Sequence, residues 1–169
     1  MKNQIKYLIL IIYLVVINKD RGIVVHPASG HNNDTLVNYL FEQDENYYFD
    51  NISSIRPGIV HRIDKDTQGL LIVAYDVKTM ELLQKQIQER IVHREYLALV
   101  KGRVKDKYFK VDAPLTKPNH SQRKALVDIN NGKEAKTHFK LISQKNNYSF
   151  LSCQLETGLL IKLELILLI

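Results

Sequence analysis

The stretch that most constrains this chain is residues 58–74, where a polar turn runs directly into a short apolar strand. The polar part places Arg62, Asp64 and Asp66 within five consecutive positions. Residues 70–74 have the length and composition of a buried strand, which can support a reactive side chain rigidly. Because Arg62 and Asp64 are two positions apart, an extended backbone would put them on one face. The alternative is a surface turn with an incidental ion pair.

Length and cysteine content restrict the class of protein. A chain of 169 residues can bury the core of one domain. Its single cysteine, Cys153, excludes an internal disulfide framework and a cysteine-rich zinc site, and it fits a reducing cytoplasm. The six histidines show no paired spacing typical of metal ligands. We therefore expect a cytoplasmic protein without a bound metal.

The formal net charge of +6 is concentrated in one part of the chain. Residues 101–145 contain twelve Lys and Arg against four Asp and Glu, whereas the remainder contains twelve basic and fourteen acidic residues. A basic half of this kind favours a partner with a phosphate backbone. The alternative is a lysine-rich surface that is merely solvated.

The first seventeen residues are apolar, with only Lys2 and Lys6 charged, as at the start of a signal peptide. Residues 18–21, Asn-Lys-Asp-Arg, offer no small-residue cleavage site. The apolar run is also shorter than the roughly 20 residues that a membrane-spanning helix needs. We therefore expect no membrane partner, and residues 1–11 remain unassigned.

Periodicity and turn residues predict an α+β fold, with several antiparallel strands and two or three packed helices. Thr35 can cap a short helix over 36–41, and Asp76 can cap a longer one that runs to about residue 90. Strands are predicted at 22–26, 70–74, 94–100, 123–129, 134–142 and 148–155, with loops at 42–57 and 103–122.

Three local features refine this prediction. The Asn-Asn-Gly sequence at 130–132 predicts a hairpin turn between the strands at 123–129 and 134–142. His26 is interpreted as a structural histidine at the end of a strand. Apolar residues at helical spacing predict a core-facing stripe, formed by Met80, Leu83, Ile87 and Ile91.

The central stretch and several others resemble a known family. The sequence His-Arg-Ile-Asp-Lys-Asp-Thr-Gln-Gly-Leu-Leu at 61–71 resembles the signature of the RluA/RluD family of RNA pseudouridine synthases. Other segments resemble that family in the same order, at 14–30, 35–40, 94–100, 133–142 and 155–158. The similarity covers roughly residues 12–158, which we interpret as one catalytic domain, with a buried strand at 12–17.

The resemblance implies isomerisation of uridine to pseudouridine in structured RNA, with ribosomal RNA as the expected partner and no cofactor. It assigns the catalytic carboxylate to Asp64 and leaves Asp66 a structural role. A carboxylate suits this reaction, because it can attack or stabilise an electron-poor sugar carbon and can also move a proton. We further expect a monomeric protein.

The same resemblance implies how RNA is held. A stacked base is inaccessible, so the target uridine must be flipped out of its helix. Arg62 is then expected to fill the space left by the base and to contact phosphate, and Tyr96 to stack on the uracil. From alternation alone, Tyr96 could equally be a strand core residue. The residues expected to contact the RNA backbone are Arg123 and Lys124.

The chain departs from the family in two places. It begins at the catalytic domain, without the RNA-binding S4 domain that ribosomal members usually carry, and Leu159 replaces an arginine that pairs with the catalytic aspartate. Deleting one base from a plausible coding of Gly-Arg-Thr-His-Gln-Ile-Arg yields Gly-Leu-Leu-Ile-Lys-Leu-Glu, so residues 159–169 are expected to be an aberrant frameshift tail on a truncated domain. Two hypotheses stay open: an active synthase, or a catalytically dead remnant that at most binds RNA through its basic half.

Overall fold

The computed structural model describes residues 6–43, 57–116 and 126–157, and the chain falls into two units, Met1–Glu89 and Arg90–Ile169. Each unit contains an antiparallel sheet, and two helices are described, both in the first unit. This arrangement confirms the predicted α+β class. The predicted loop at 42–57 falls almost entirely outside the described residues.

The first unit is built on three antiparallel strands in the order β1-β2-β3. Alternate residues of the central strand, Val15, Ile17 and Lys19, are fully buried. The predicted strand at 12–17 is therefore confirmed, although it begins two residues later. The unassigned N-terminal stretch contributes a further strand, which a two-residue turn joins to the central one. The strands are β1 (Lys6–Ile11), β2 (Leu14–Lys19) and β3 (Gly69–Ala74).

Helix α1 spans Leu36–Gln43 and begins where the sequence predicts. Thr35 Oγ1 accepts a hydrogen bond from the Asn38 N–H at 3.4 Å, and Asn38 Oδ1 accepts one from the Thr35 N–H at 3.1 Å. These reciprocal bonds satisfy amide groups that the first turn of a helix leaves without partners.

The predicted strand at 22–26 is wrong. In this segment Ile23, Val25 and His26 are buried, but the only ladder contact with another described residue is a single bridge between Val24 and Thr35. The carbonyls of Val24 and Val25 accept hydrogen bonds from the first two amides of α1, at 2.8 and 3.2 Å. An extended, apolar segment therefore packs against a helix start, where its carbonyls complete the cap.

Helix α2 spans Val77–Gln88, and its N-cap is Asp76, as predicted. The predicted core stripe holds only in part. Met80, Leu83 and Ile87 are half-buried, but Ile91 lies beyond the helix and is 58% exposed. The reason is local, because Arg90 adopts a left-handed conformation with φ of 62° and breaks the helical spacing before Ile91.

The second unit contains four antiparallel strands in the order β4-β7-β6-β5. The predicted strands at 94–100, 134–142 and 148–155 are confirmed, with small shifts in their ends. Asn146 and Asn147 both have positive φ, as a two-residue hairpin turn between β6 and β7 requires. The strands are β4 (Glu95–Lys101), β5 (Tyr108–Asp112), β6 (Lys136–Lys145) and β7 (Tyr148–Leu155).

Two predictions for the middle of this unit are wrong. The segment 103–122 is not wholly irregular, because it contains β5, whose Phe109 stacks on Phe139 at a ring distance of 4.8 Å. The predicted strand at 123–129 is described only from residue 126, and this part makes a single bridge, between Val127 and Leu115. Leu115 also bridges Lys133, so among the described residues both arms of the Asn-Asn-Gly turn pair with the segment around Leu115. The Gly132 N–H donates to the Asp128 carbonyl at 2.9 Å, which joins the arms at the turn itself.

Candidate active-site loop

Residues 58–69 form the loop that leads into β3, and the start of the loop is fixed to that strand. The Ala74 N–H donates to the Gly58 carbonyl at 2.9 Å, and Ile59 forms an antiparallel bridge with Val73. The loop therefore starts beside the C-terminal end of β3 and runs into the N-terminal start of the same strand. Such anchoring limits where the side chains between these points can lie.

Side chains of the loop alternate between the core and solvent. Ile63 is buried, whereas its neighbours Arg62 and Asp64 are both exposed, as expected of two residues on one face. No ion pair joins Arg62 to Asp64, so an incidental ion pair does not explain their spacing. Asp66 is exposed as well.

A buried lysine supports the loop from below. Lys19 is fully buried, and its Nζ donates hydrogen bonds to the carbonyls of Asp20 at 2.9 Å, Ile23 at 3.0 Å and Lys65 at 3.2 Å. The Gly22 N–H also donates to the Lys65 carbonyl, at 2.8 Å. The Lys65 carbonyl, one residue after Asp64, is thus held by two donors, one at the end of β2 and one in the turn after it.

The charge of Lys19 matters to this support. Burial lowers the pKa of Lys19, while the nearby carboxylates of Asp66, Asp20 and Asp64 act in the opposite direction. An ammonium group has three donors and no acceptor, which matches the three carbonyls around it. The carboxylates of the loop therefore help to keep a buried cation that in turn positions the loop.

The backbone of Asp64 is fixed, whereas its carboxylate contacts no partner in the part of the chain that the structure describes. The Asp64 carbonyl accepts a hydrogen bond from the Thr67 N–H at 3.1 Å, which closes the turn. His61, near the start of the loop, is held to β3. Its Nε2 atom accepts a hydrogen bond from the Ile72 N–H at 3.0 Å, so this nitrogen carries no proton. Within the described ranges the Asp64 side chain makes no hydrogen bond or ion pair, and it is open to a substrate.

The remaining predicted site residues lie elsewhere. Tyr96 belongs to the second unit, where it is half-buried on the core side of β4 and packs against the cluster of Val100, Phe139, Leu151 and Cys153. The role of Tyr96 in stacking on the uracil stays a prediction. Arg123, Lys124 and Leu159 fall outside the described residues. Within the basic segment, residues 101–145, the exposed cations include Lys101, Arg103, Lys105 and Lys107.

Lys19 and His61 are contributors that the sequence prediction did not assign. For Lys19 a signal was present, because it follows Val15 and Ile17 at two-residue spacing and so falls on the buried face of β2. A lysine on the buried face of a strand needs hydrogen-bond acceptors, because burying an unpaired charge is costly. Its position therefore indicates a specific hydrogen-bonding role. For His61, inclusion in the central motif is the only sequence signal.

Among the described residues, no helix is long and apolar enough to cross a membrane. Nor do three or more His, Cys, Asp or Glu side chains from that part of the chain group as a metal site.

The family of the chain follows from comparison with known proteins. A profile described as RNA pseudouridylate synthase matches residues 13–160, which include strands β2 to β7 and the loop carrying Asp64. The chain belongs to this RNA pseudouridylate synthase family. The resemblance noted in the sequence is therefore confirmed.

Relatives of this RNA pseudouridylate synthase chain are found in several bacteria. An uncharacterized RNA pseudouridine synthase of Bacillus subtilis is 41% identical over 145 residues, covering 86% of this chain and 47% of the relative. A ribosomal large subunit pseudouridine synthase D of Nitrosomonas europaea is 43% identical over 148 residues, covering 86% of this chain and 41% of the relative. The chain thus spans less than half the length of these curated relatives.

Solved structures share the fold of this family member. Human RNA Pseudouridylate Synthase Domain Containing 1 matches with a TM-score of 0.74 and 17% identity, over 95% of this chain and 63% of that one. Human RNA Pseudouridylate Synthase Domain Containing 4 matches with a TM-score of 0.68 and 21% identity, over 93% of this chain and 61% of that one. These similarities establish a shared fold.

Proposed function

We propose that this chain isomerises uridine to pseudouridine in RNA, with Asp64 as the catalytic carboxylate. The observation that carries the proposal is that Asp64 presents an exposed carboxylate with no partner among the described residues, while hydrogen bonds hold its own peptide and the next one. A carboxylate on a fixed backbone can meet a bound substrate at little further ordering cost. Membership of the family supports the choice of reaction.

The chemistry needs a group that can act on a sugar carbon and on a proton. The C1′–N1 bond of the nucleotide breaks, the uracil rotates, and a C1′–C5 bond forms. The C5 hydrogen leaves as a proton, and N1 gains one, so substrate and product contain the same atoms. In the proposed reaction Asp64 attacks or stabilises C1′ and then accepts the C5 proton. The reaction is redox-neutral, so the proposal includes no cofactor.

Other residues would give the carboxylate access to the base. We assign Arg62 to the space vacated by the flipped-out uridine and to a neighbouring phosphate, and its exposed position beside Asp64 supports this. We assign Tyr96 to stacking on the uracil. For the RNA backbone, the proposed contacts are Arg123 and Lys124.

We propose ribosomal RNA as the substrate class. Several relatives are described as ribosomal large subunit pseudouridine synthase D, and the exposed cations in the second unit suit a phosphate backbone. A cytoplasmic location and a monomeric state complete the proposal.

The proposal is tested with RNA that carries tritium at uridine C5. Each pseudouridine formed releases one C5 hydrogen to water, so incubation of the full chain with such a ribosomal RNA transcript should release tritium with time. RNA labelled at C6 is the matched control, because that hydrogen is retained. If a well-folded chain releases no more tritium from the first RNA than from the second, the proposed activity is wrong.

A further inference from the structure

A pocket of about 380 Å³ lies at one end of the sheet in the second unit, where β4 begins and β7 ends. Its volume falls in the range typical of small-ligand sites. The polar side chains that line it come from three separate parts of the chain: Arg90, His93, Arg94, His138, Gln154 and Glu156.

The lining has an excess of positive charge that neighbouring acids do not cancel. Among the described residues Glu156 is the only acid in the lining, and it accepts a hydrogen bond from His138 Nε2 at 2.8 Å and lies 3.7 Å from Lys110 Nζ. Glu134 lies 3.7 Å from Arg90 Nη2, but its other oxygen contacts Lys136 Nζ at 2.6 Å. Both carboxylates therefore have other cationic partners. The contact with Glu134 neutralises Arg90 only in part, and Arg94 makes no ion pair with any described residue.

Arg94 is the residue that points to a missing ligand. Its main chain is fixed, because its carbonyl accepts a hydrogen bond from the Leu155 N–H at 3.2 Å. Its Nε atom is buried, yet this N–H finds no acceptor in the described part of the chain. Buried donors normally have a partner, and a guanidinium is well matched to the oxygens of a phosphate.

We propose that this pocket binds a phosphate group of the RNA backbone, an inference that rests on the proposed function. Arg94 would donate its Nε–H to a phosphate oxygen, and Arg90 would supply a second, more exposed guanidinium. His93 and Gln154 offer further donors around the same volume. A phosphate held here would fix the position of the RNA backbone on the second unit without reading the base sequence.

The first test measures phosphate binding directly. The full chain, labelled with ¹⁵N, is titrated with inorganic phosphate at constant ionic strength, and the Nε–H resonance of Arg94 is followed. We expect a saturable shift of this resonance in the unsubstituted chain and in Lys78→Gln, whose exposed lysine on α2 lies outside the pocket. In Arg94→Lys, which keeps the charge but has no Nε–H, phosphate binding is followed at the Leu155 backbone N–H, which donates to the carbonyl of residue 94, and should be at least about tenfold weaker than in the unsubstituted chain.

The second test asks whether RNA uses the same site. The double variant Arg90→Gln/Arg94→Gln should bind a ribosomal RNA transcript about tenfold or more weakly than the unsubstituted chain, because charged hydrogen bonds are lost. Lys78→Gln should bind it unchanged. Adding RNA should also shift the Arg94 Nε–H resonance and displace phosphate. If the double variant fails to fold, Arg90→Gln alone is compared with the unsubstituted chain. The Arg90 side chain is 57% exposed, so its replacement should not unfold the protein.

Each outcome decides the inference. Absence of a saturable phosphate shift would overturn the site, as would a shift produced equally by sodium chloride. Phosphate binding with unchanged RNA affinity in the pocket variant would show a site for free phosphate and overturn the assignment to the RNA backbone. Both experiments measure binding and not turnover. A failed tritium assay would therefore refute the proposed activity without changing the conclusion about phosphate binding in the pocket.

Discussion

The Lys19 ammonium nitrogen lies 3.2 Å from the carbonyl oxygen of Lys65, so the buried end of β2 is bonded to the peptide that follows Asp64. This contact joins residues 46 positions apart in the sequence. It couples the stability of the first sheet to the placement of the proposed catalytic carboxylate.

Replacement of Lys19 tests that coupling. Lys19→Met keeps the bulk of the side chain but leaves the buried Ile23 carbonyl without its donor, so the free energy of unfolding should fall by about 1 to 3 kcal/mol. The rate constant kcat should also fall, because the loop carrying Asp64 loses a support, whereas KM should change little. Urea unfolding and tritium release measure the two effects. A destabilised variant with an unchanged kcat would limit Lys19 to a role in folding.

The N-cap of α2 gives a prediction with a defined pH dependence. Asp76→Ala should lower the free energy of unfolding by about 1 kcal/mol at pH 7, because it removes the acceptor for the Thr79 N–H and hydroxyl. Those hydrogen bonds from Thr79 lower the pKa of Asp76. The stabilisation is therefore complete above the unfolded-state pKa of about 4 and is lost as the pH falls through the lower folded-state pKa. Urea unfolding from pH 7 to pH 3 checks this, and a pH-independent difference would contradict it.

The assignment of Tyr96 predicts a dependence on the aromatic ring. Tyr96→Phe should retain most of kcat/KM, because the stacking face is preserved. Tyr96→Leu should lower kcat/KM by roughly 10- to 100-fold, as expected for the loss of one base-stacking contact. Tritium release from the same RNA compares them. Equal activity of the Phe and Leu variants would favour a purely structural role in the core of the second unit.

The basic segment predicts a steep dependence of RNA affinity on salt. Four exposed cations on and after β4 can be neutralised together, by replacing Lys101, Arg103, Lys105 and Lys107 with Gln. Binding should weaken for RNAs of any sequence, and the slope of log affinity against log salt should decrease by about 3 if all four contact phosphates. Titrations between 50 and 200 mM salt measure the slope. An affinity that does not depend on salt would indicate that these side chains are merely solvated.

Features that depend on a few neighbouring residues were predictable from the sequence. Thr35 and Asp76 cap their helices because each side chain reaches an amide three residues on. The hairpin at Asn146 and Asn147 forms because asparagine tolerates positive φ. In these cases the local sequence contains most of the determining interaction.

Features that depend on distant partners were not predictable in the same way. Residues 22–26 have the composition of a strand, but their carbonyls find the start of α1 instead of another strand. β5 is only five residues long and lies in a basic segment, so its pairing with β6 is not evident from composition. The support of Asp64 by Lys19 and the pocket around Arg94 arise only when remote segments meet.

The most direct test of the account compares two aspartates that lie two positions apart on one loop. Asp64→Asn and Asp66→Asn remove the same charge from exposed positions, so they match in chemistry and in setting. In single-turnover reactions with RNA labelled at uridine C5, Asp64→Asn should reduce tritium release by at least about 100-fold. Asp66→Asn should reduce it far less, because the Asp66 carboxylate only helps to keep the supporting Lys19 charged and takes no part in the chemistry.

RNA affinity, measured on the same preparations, should be similar for both variants and the unsubstituted chain, so that any loss reflects chemistry and not binding. Loss of tritium release only in Asp64→Asn would match the prediction. Equal losses in the two variants, or full activity in Asp64→Asn, would contradict the assignment of Asp64 as the catalytic carboxylate.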